Sequence, residues 1–353
     1  MNREMILLKE DADGAKLPYI EFLKGCAILS IVVFHISLCY IHHRPEILMK
    51  LTGPFSNATR VFIFASGFGL YYSHLRHPLP YRTFLRKRFV KVYLPYIAVV
   101  LVCVFVPYTY AGNDRFAAFL SHVFLYKMFI PKYNQSFGPY WFMSAIFQYY
   151  ILFYVIVRMK KRIGNDRVFL AAWAGISVVW CMIVWLVPRL SETLDTVYNT
   201  FVMMHGWAFV LGMLTAELLY RNHAVTITVK QLLLCLLIAL ITYKPAKWCS
   251  PVMIEIPLAV LILCLFTIVW ALFGERLRQF MILLGSFSFE WYLTHLLLLE
   301  GMFLCIKPGN LAEEYAFAAA GLVISAFAAW AYHRLILFLR TGRMHRPASG
   351  MER

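Results

Sequence analysis

The sequence predicts an all-α, polytopic integral membrane protein with about ten transmembrane helices. Three observations lead there. Hydrophobic residues make up 61% of the 353 positions, and mean hydropathy is +0.67. Charged residues are only 15%, against roughly 25% in a soluble domain. Ten stretches approach the about 20 mostly apolar residues needed to cross ~30 Å of hydrocarbon. They lie near 20–41, 53–74, 92–111, 138–158, 168–188, 197–220, 229–243, 252–273, 280–306 and 312–339.

The net charge of +16 could suggest a nucleic-acid partner, but the positions of the charges argue against one. With ten spans, 23 of the 34 Lys/Arg fall on the side of the N-terminus and 9 on the opposite side, while Arg60 and Arg334 lie within spans. That asymmetry is the positive-inside rule, so both termini are expected in the cytoplasm and the protein in the cell membrane, in contact with membrane lipid. The first apolar stretch lacks a small-residue cleavage site and reads as a retained signal anchor. The organisation is then a cytoplasmic arm over 1–19, one membrane domain over 20–339 and a basic cytoplasmic tail over 340–353. Residues 116–130 are short for a span and read as a re-entrant or interfacial helix. The eight cysteines are scattered without a Cys-x-x-Cys and read as small hydrophobes rather than a metal site or a disulfide framework. The dinucleotide, Walker and His-Glu-x-x-His patterns are absent from the sequence.

Polar residues inside these apolar runs carry the functional signal, because an ionisable group in hydrocarbon is costly. On the first helix, Lys24 and His35 are eleven residues apart, close to three turns, so they share a face about 16 Å apart. The bland reading is a hydrogen-bonded histidine and a snorkelling lysine. The functional one is a general base above a cation, since an imidazole titrates near pH ~6.5. On the second helix, Arg60 lies about 10 Å in from the outer end. Gly53, Asn57, Arg60 and Gly67 follow helical spacing, which predicts a polar stripe facing protein or a water-filled cavity. Arg60 is either paired with a structural acid or a substrate contact, the second being preferred. Ser66-Gly67 either lines a site or allows close packing.

The loop ahead of the third span holds Arg82, Arg86, Lys87, Arg88 and Lys91. Any cytoplasmic loop is basic. Arg88 and Lys91, however, share a face and run directly into the span, which suits a polyanion at a cavity mouth. Trp141, Ser144 and Gln148 form a stripe on the fourth span, readable as an aromatic belt with interhelical hydrogen bonds. On an unbroken helix over 280–306, Ser286, Glu290 and Thr294 share one face, and Ser288, Tyr292 and His295 lie nearly opposite, so Glu290 and His295 cannot pair.

Five fragments, in order, resemble the membrane-bound acyltransferase family three, the polysaccharide and glycolipid O-acyltransferases. These are the basic–Gly-x-Ala start with histidine eleven on (Lys24 to His35), Phe62 to Phe68, Arg88 to Pro95, Trp141 to Ser144 and Ser288 to His295. Lysine stands at 24 and 91 where such proteins usually have arginine, and Ile146 stands where many carry an acid. The resemblance implies an acyl-CoA donor, by default acetyl-CoA, and a saccharide or lipid-linked saccharide acceptor. It implies that Arg88, Lys91 and Tyr93 bind the donor, and that His35 activates the acceptor hydroxyl directly or by passing on the acyl group. Lys24, Arg60, Ser66, Trp141, Gln148, Glu290 and His295 would contact substrate. The scheme requires His35 to be reachable by a thioester from the basic face. A polysaccharide exporter or flippase, and a structural subunit of an envelope-synthesis complex, are the competing readings.

Overall fold

The computed structural model describes residues 4–9, 17–43, 45–110, 112, 114–134, 136–138, 140–186, 197, 200–249 and 253–344. The chain is built almost wholly of helices: α1 (Pro18–Cys39), α2 (Glu46–Thr52), α3 (Thr59–Arg76), α4 (Tyr81–Arg88), α5 (Leu94–Val104), α6 (Arg115–Val123), α7 (Trp141–Ile163), α8 (Asp166–Leu186), α9 (Val202–Asn222), α10 (Val229–Cys249), α11 (Glu255–Leu272), α12 (Glu275–Ser286), α13 (Ser288–Ile306) and α14 (Leu311–Met344). Two short strands, β1 (Glu4–Lys9) and β2 (Ala224–Thr228), pair antiparallel from Glu4↔Thr228 to Lys9↔Ala224. This ribbon, absent from the all-α reading, ties the N-terminal arm to the α9–α10 link. Most of the tail expected over 340–353 lies outside the described residues; its first part continues α14.

Among the described residues, eight helices are long and apolar enough to cross a membrane: α1, α7, α8, α9, α10, α11, α13 and α14. Their burial sorts centre from rim. The apolar windows of α9, α1 and α7 are 78%, 61% and 56% buried, whereas those of α10, α14 and α8 are 11%, 17% and 28% buried. The first three form the core; the last three turn Leu, Ile, Val and Phe outward, as lipid contact requires.

Four stretches differ from their sequence expectation. Within 53–74, Gly53–Ala58 is a 3-10 turn and α3 begins at Thr59. The register of a 3-10 turn is three residues rather than 3.6, so the stripe through Gly53 and Asn57 does not run on as one helical face. Within 92–111, a π turn over Phe89–Tyr93 leads into α5, which is about 16 Å long and ends before Pro107. Residues 116–130 contain the nine-residue α6, capped by the Asp114 carboxylate accepting from the Ala117 amide at 2.8 Å, and then a 3-10 turn. The single helix expected over 280–306 is broken at Phe287. Ser286 Oγ donates to the Leu283 carbonyl (2.7 Å) and Ser288 Oγ to the Gly285 carbonyl (2.8 Å), competing with backbone pairing there. Ser286 therefore does not share a continuous helical face with Glu290 and Thr294.

The segment between α6 and α7 is pinned from beneath. Lys127 is buried and donates to the Ser136 carbonyl at 3.0 Å and to the Gly138 carbonyl; burial pushes its ammonium down to about 7. His122 Nε2–H donates to the same Ser136 carbonyl (2.9 Å), and its Nδ1 accepts from the Tyr96 hydroxyl (2.7 Å). These bonds seat Tyr140 and Trp141 at the start of α7.

Two glycine pairs let helices meet backbone to backbone. A Cβ on Gly25 would lie 1.9 Å from the Met281 carbonyl oxygen, and one on Gly285 would lie 1.9 Å from that of Glu21. Likewise Gly67 abuts the Phe209 carbonyl and Gly212 that of Phe64, joining α3 to α9. Such contact replaces the hydrophobic drive that lipid does not supply. Gly285→Ala is expected to cost at least the about 1–3 kcal/mol of ordinary overpacking, because the obstacle is backbone. Gly274→Ala, with nothing within 4 Å of the added methyl, serves as control. Thermal unfolding of detergent-purified variants checks this.

Candidate active site

Four helices, α1, α3, α7 and α13, surround two cavities stacked along their length. The larger has a volume of about 660 Å³. Its lining includes Glu21 and Lys24 from α1, Ser66 from α3 and Glu290 from α13. Arg88, Lys91, His333 and Arg340 complete its polar rim. The smaller, of about 20 Å³, is lined by Ile31, His35, Thr59, Tyr140, Trp141, Tyr292, His295 and Leu296.

The larger cavity is electropositive. Lys24 pairs with Glu21 one turn back at 2.8 Å, and Glu290 sits 3.1 Å from the His333 ring nitrogen. Among the described residues, neither Arg88 nor Lys91 forms an ion pair with a carboxylate, and Arg88 Nε is buried without a hydrogen-bond partner. Burial lowers the Arg88 and Lys91 pKa values; for Lys91 the cations Arg88, Lys24 and Arg340 add to it, with Glu21 opposing. Arg340 also donates to the Lys91 carbonyl at 3.1 Å, joining α14 to this rim. Cations crowded against one another with an unsatisfied guanidinium fit a polyanionic ligand.

The smaller cavity holds a histidine pair. His295 Nδ1 lies 2.9 Å from the carbonyls of both Trp291 and Tyr292, so it carries the proton and donates. His295 Nε2 is then an acceptor, and the atom 3.1 Å away, His35 Nδ1, must be its donor. His35 is also hydrogen-bonded to the Ile31 backbone one turn back, and a neutral ring that donates from Nδ1 keeps its lone pair on Nε2. The rings lie 5.1 Å apart, and Phe34 flanks His35 at 5.3 Å. This carbonyl–imidazole–imidazole relay is what a carboxylate does in other sites, achieved without burying a charge.

The structure brings some of the expected site residues together and places others elsewhere. Lys24, Ser66, Arg88, Lys91 and Glu290 line the large cavity; His35, Trp141 and His295 line the small one. Arg60 lies behind them. It pairs with Glu255 at the start of α11, donates to Thr59 Oγ1 (2.9 Å) and stacks over the Trp141 ring at 5.8 Å. The structural-acid alternative thus has its acid, and Arg60 reaches the pocket through Thr59 and Trp141. Gln148 is a strut: its amide donates to the Thr200 and Ser144 carbonyls (2.8 and 3.1 Å) and accepts from the Val202 amide (3.1 Å). Ser144 donates to the Leu125 carbonyl at 3.1 Å. Tyr93 donates to the Val123 carbonyl at 2.6 Å and is not among the cavity-lining residues. Sequence reasoning missed Glu21, Tyr140, Phe142, His333 and Arg340. Only Glu21 carried a local signal, its i, i+3 spacing from Lys24. Among the described residues no group of three His, Cys, Asp or Glu side chains is placed to hold a metal ion.

The sequence matches acyltransferase family 3, described as an acyltransferase domain, over residues 17–334. The chain belongs to that family. It is also similar to a protein named acyltransferase MdmB from Streptomyces mycarofaciens, with 24% identity over 340 residues, covering 89% of this chain and 87% of that one. No solved structure matches it. The matched region contains all four cavity-forming helices, so both cavities belong to the acyltransferase domain of a multi-pass membrane protein.

The depressed Lys91 gives a signed pH dependence. A bound anion favours the protonated form, so affinity is full where Lys91 is charged and is lost as pH rises through its lowered pKa, earlier than for an ordinary lysine. Adenosine 3′,5′-bisphosphate, fully ionised in mild alkali, is expected to bind more weakly as pH rises there. Lys91→Arg is expected to flatten the profile, and titration calorimetry at several pH values checks this.

Proposed function

We propose that this acyltransferase moves a short acyl group, acetyl by default, from acyl-CoA to a hydroxyl of a cell-surface or lipid-linked saccharide. The observation that carries this reading is the His35–His295 hydrogen bond, which leaves one unprotonated imidazole nitrogen beside a pocket stacked on a basic cavity. The reading sets the protein in the cell membrane with both termini and the basic cavity mouth on the cytoplasmic side, where acyl-CoA is available.

Arg88, Lys91, Lys24 and Arg340 hold the donor phosphates, and the pantetheine arm runs up the cavity. Its 660 Å³ lies within the usual range for a small-molecule site. His35 Nε2 takes the proton of the acceptor hydroxyl as that oxygen attacks the thioester carbonyl. The tetrahedral intermediate collapses, the carbon–sulfur bond breaks, and the proton passes to the departing thiolate. An ester and free CoA result. His295 positions rather than reacts: its protonated Nδ1 faces carbonyls, and its Nε2 holds His35 in the productive tautomer. In the neutral pocket a developing imidazolium gains from the His295 acceptor, and Trp141 offers a flat face to a sugar ring.

His35→Ala and His35→Gln are expected to lower turnover by about 10²–10⁴-fold while leaving CoA binding intact, the usual span for lost general-base assistance. Mass spectrometry of surface glycans from cells with the wild-type and variant genes checks this, acetyl adding about 42 Da at each site, with purified protein used for the rate. Full activity in both variants would show the base to be elsewhere. CoA binding that survives Arg88→Ala unchanged would remove Arg88 from the donor site, and wild-type protein that binds no CoA would favour a transport role.

A further inference from the structure

The two cavities do not merge, although the proposed transfer needs a thioester from one to reach the imidazole in the other. Three of the four surrounding helices pass from one cavity to the other within a few residues, while on α1 the step from Lys24 to Ile31 takes seven. On α3, Thr59 lines the small cavity, and Phe62, Ala65 and Ser66 the large one. On α7, Trp141 lines the small cavity and its neighbour Phe142 the large one. On α13, Glu290 lines the large cavity, and Tyr292 and His295 the small one. At about 1.5 Å of rise per residue, the divide is a layer roughly one side chain thick.

That layer is aromatic. Phe142 packs edge-to-face on Tyr292, with centroids 5.5 Å apart and planes at 71°, and on Phe62 at 6.1 Å and 64°. Tyr292 lies 6.3 Å from the His295 ring. Phe142 is thus the side chain that touches donor space on one side and the wall of the histidine pocket on the other. Beyond the layer the pocket of about 20 Å³ holds little more than one water. No acyl carbonyl enters unless a ring moves. A rotation of Phe142 frees the volume of one ring, while Tyr140, Trp141 and Tyr292 remain as walls. Tyr140 is held in place by its hydroxyl, which donates to the Leu293 carbonyl at 2.6 Å.

We propose that Phe142, backed by Phe62 and Tyr292, is a movable septum that admits the acyl thioester to His35 and sets the longest acyl chain the enzyme transfers. The proposal rests on the acyl-CoA reading of the basic cavity. In the closed state the septum keeps the bound thioester away from the imidazole and from water on the far side. In the open state it clears room for a short acyl group. The septum makes chain-length selection a property of α7 and α3 rather than of the phosphate-binding rim.

The test uses full-length detergent-purified protein, acetyl-CoA and octanoyl-CoA as donors, and water as the acceptor. CoA release is read as free thiol, and CoA affinity is measured separately by calorimetry. Phe142→Ala and Phe62→Ala are compared with wild type, so that one misfolded variant does not decide the matter. The expected result is a rise of at least about ten-fold in the octanoyl-to-acetyl ratio of thiol release, the scale of selectivity that a few methylenes carry in an apolar pocket. CoA affinity is expected to stay within about two-fold, because neither ring belongs to the cationic rim. An unchanged ratio, or no release from either variant, with CoA still bound, overturns the septum alone. Wild-type protein that binds no CoA overturns the donor assignment beneath it.

Discussion

The backbone contact between α1 and α12 at Gly25 and Gly285 is the constraint on which the rest of this architecture depends. A carbonyl on each helix occupies the place of the other's missing Cβ. Nothing larger than glycine allows that approach, and lipid offers no hydrophobic drive to replace it. The contact fixes Glu21 and Lys24 in the lining of the large cavity. Because α12 turns into α13 at Phe287, it also sets α13 against α1, where His295 meets His35. At the far end, the Tyr40 hydroxyl donates to Glu300 at 3.0 Å and His43 meets Glu314 at 2.9 Å, so α1 is also held to α13 and α14 beyond the histidines.

Charge is distributed along this axis by cost. The cations sit at the mouth, where water and an arriving anion can solvate them. The central pair is neutral, and its polarity comes from carbonyls one helical turn away. A carboxylate orienting His35 would add a buried charge that needs its own partner, whereas a second imidazole needs only backbone acceptors. Arg60, a buried cation, pairs with the partly buried Glu255 beside the pocket rather than in it. Removing either member would strand the other charge in an apolar surround. The effect on Thr59 and Trp141 would follow from that loss, not from a missing substrate contact.

The sequence made legible what depends on one helix at a time. The eleven-position separation of Lys24 and His35 placed both on one face, and each lines a cavity in the structure. The same geometry excluded a Glu290–His295 pair; Glu290 meets His333 and His295 meets His35. What escaped depends on chain segments far apart in sequence. Glu255 lies 195 residues from Arg60, and no local pattern marks it as the partner. Gln148 had the helical spacing of a site residue, but its amide closes a loop 52 residues away. Phe142 stood inside the Trp141–Ser144 fragment without a signal of its own, because a septum is defined only by the two spaces it divides. The break at Phe287 and the 3-10 turn at Gly53 escaped because serine back-bonding and glycine-proline turns alter register without altering composition.

The account stands most directly on which nitrogen of His35 bears the proton. Nitrogen-15 NMR of histidine-labelled protein in lipid, with His35→Asn and His295→Asn used for assignment, reads that tautomer without any substrate. A protonated Nδ1 and a bare Nε2 are expected on His35, with the Nδ1 signal moving once His295 is replaced. A His35 ring protonated at Nε2 contradicts the relay.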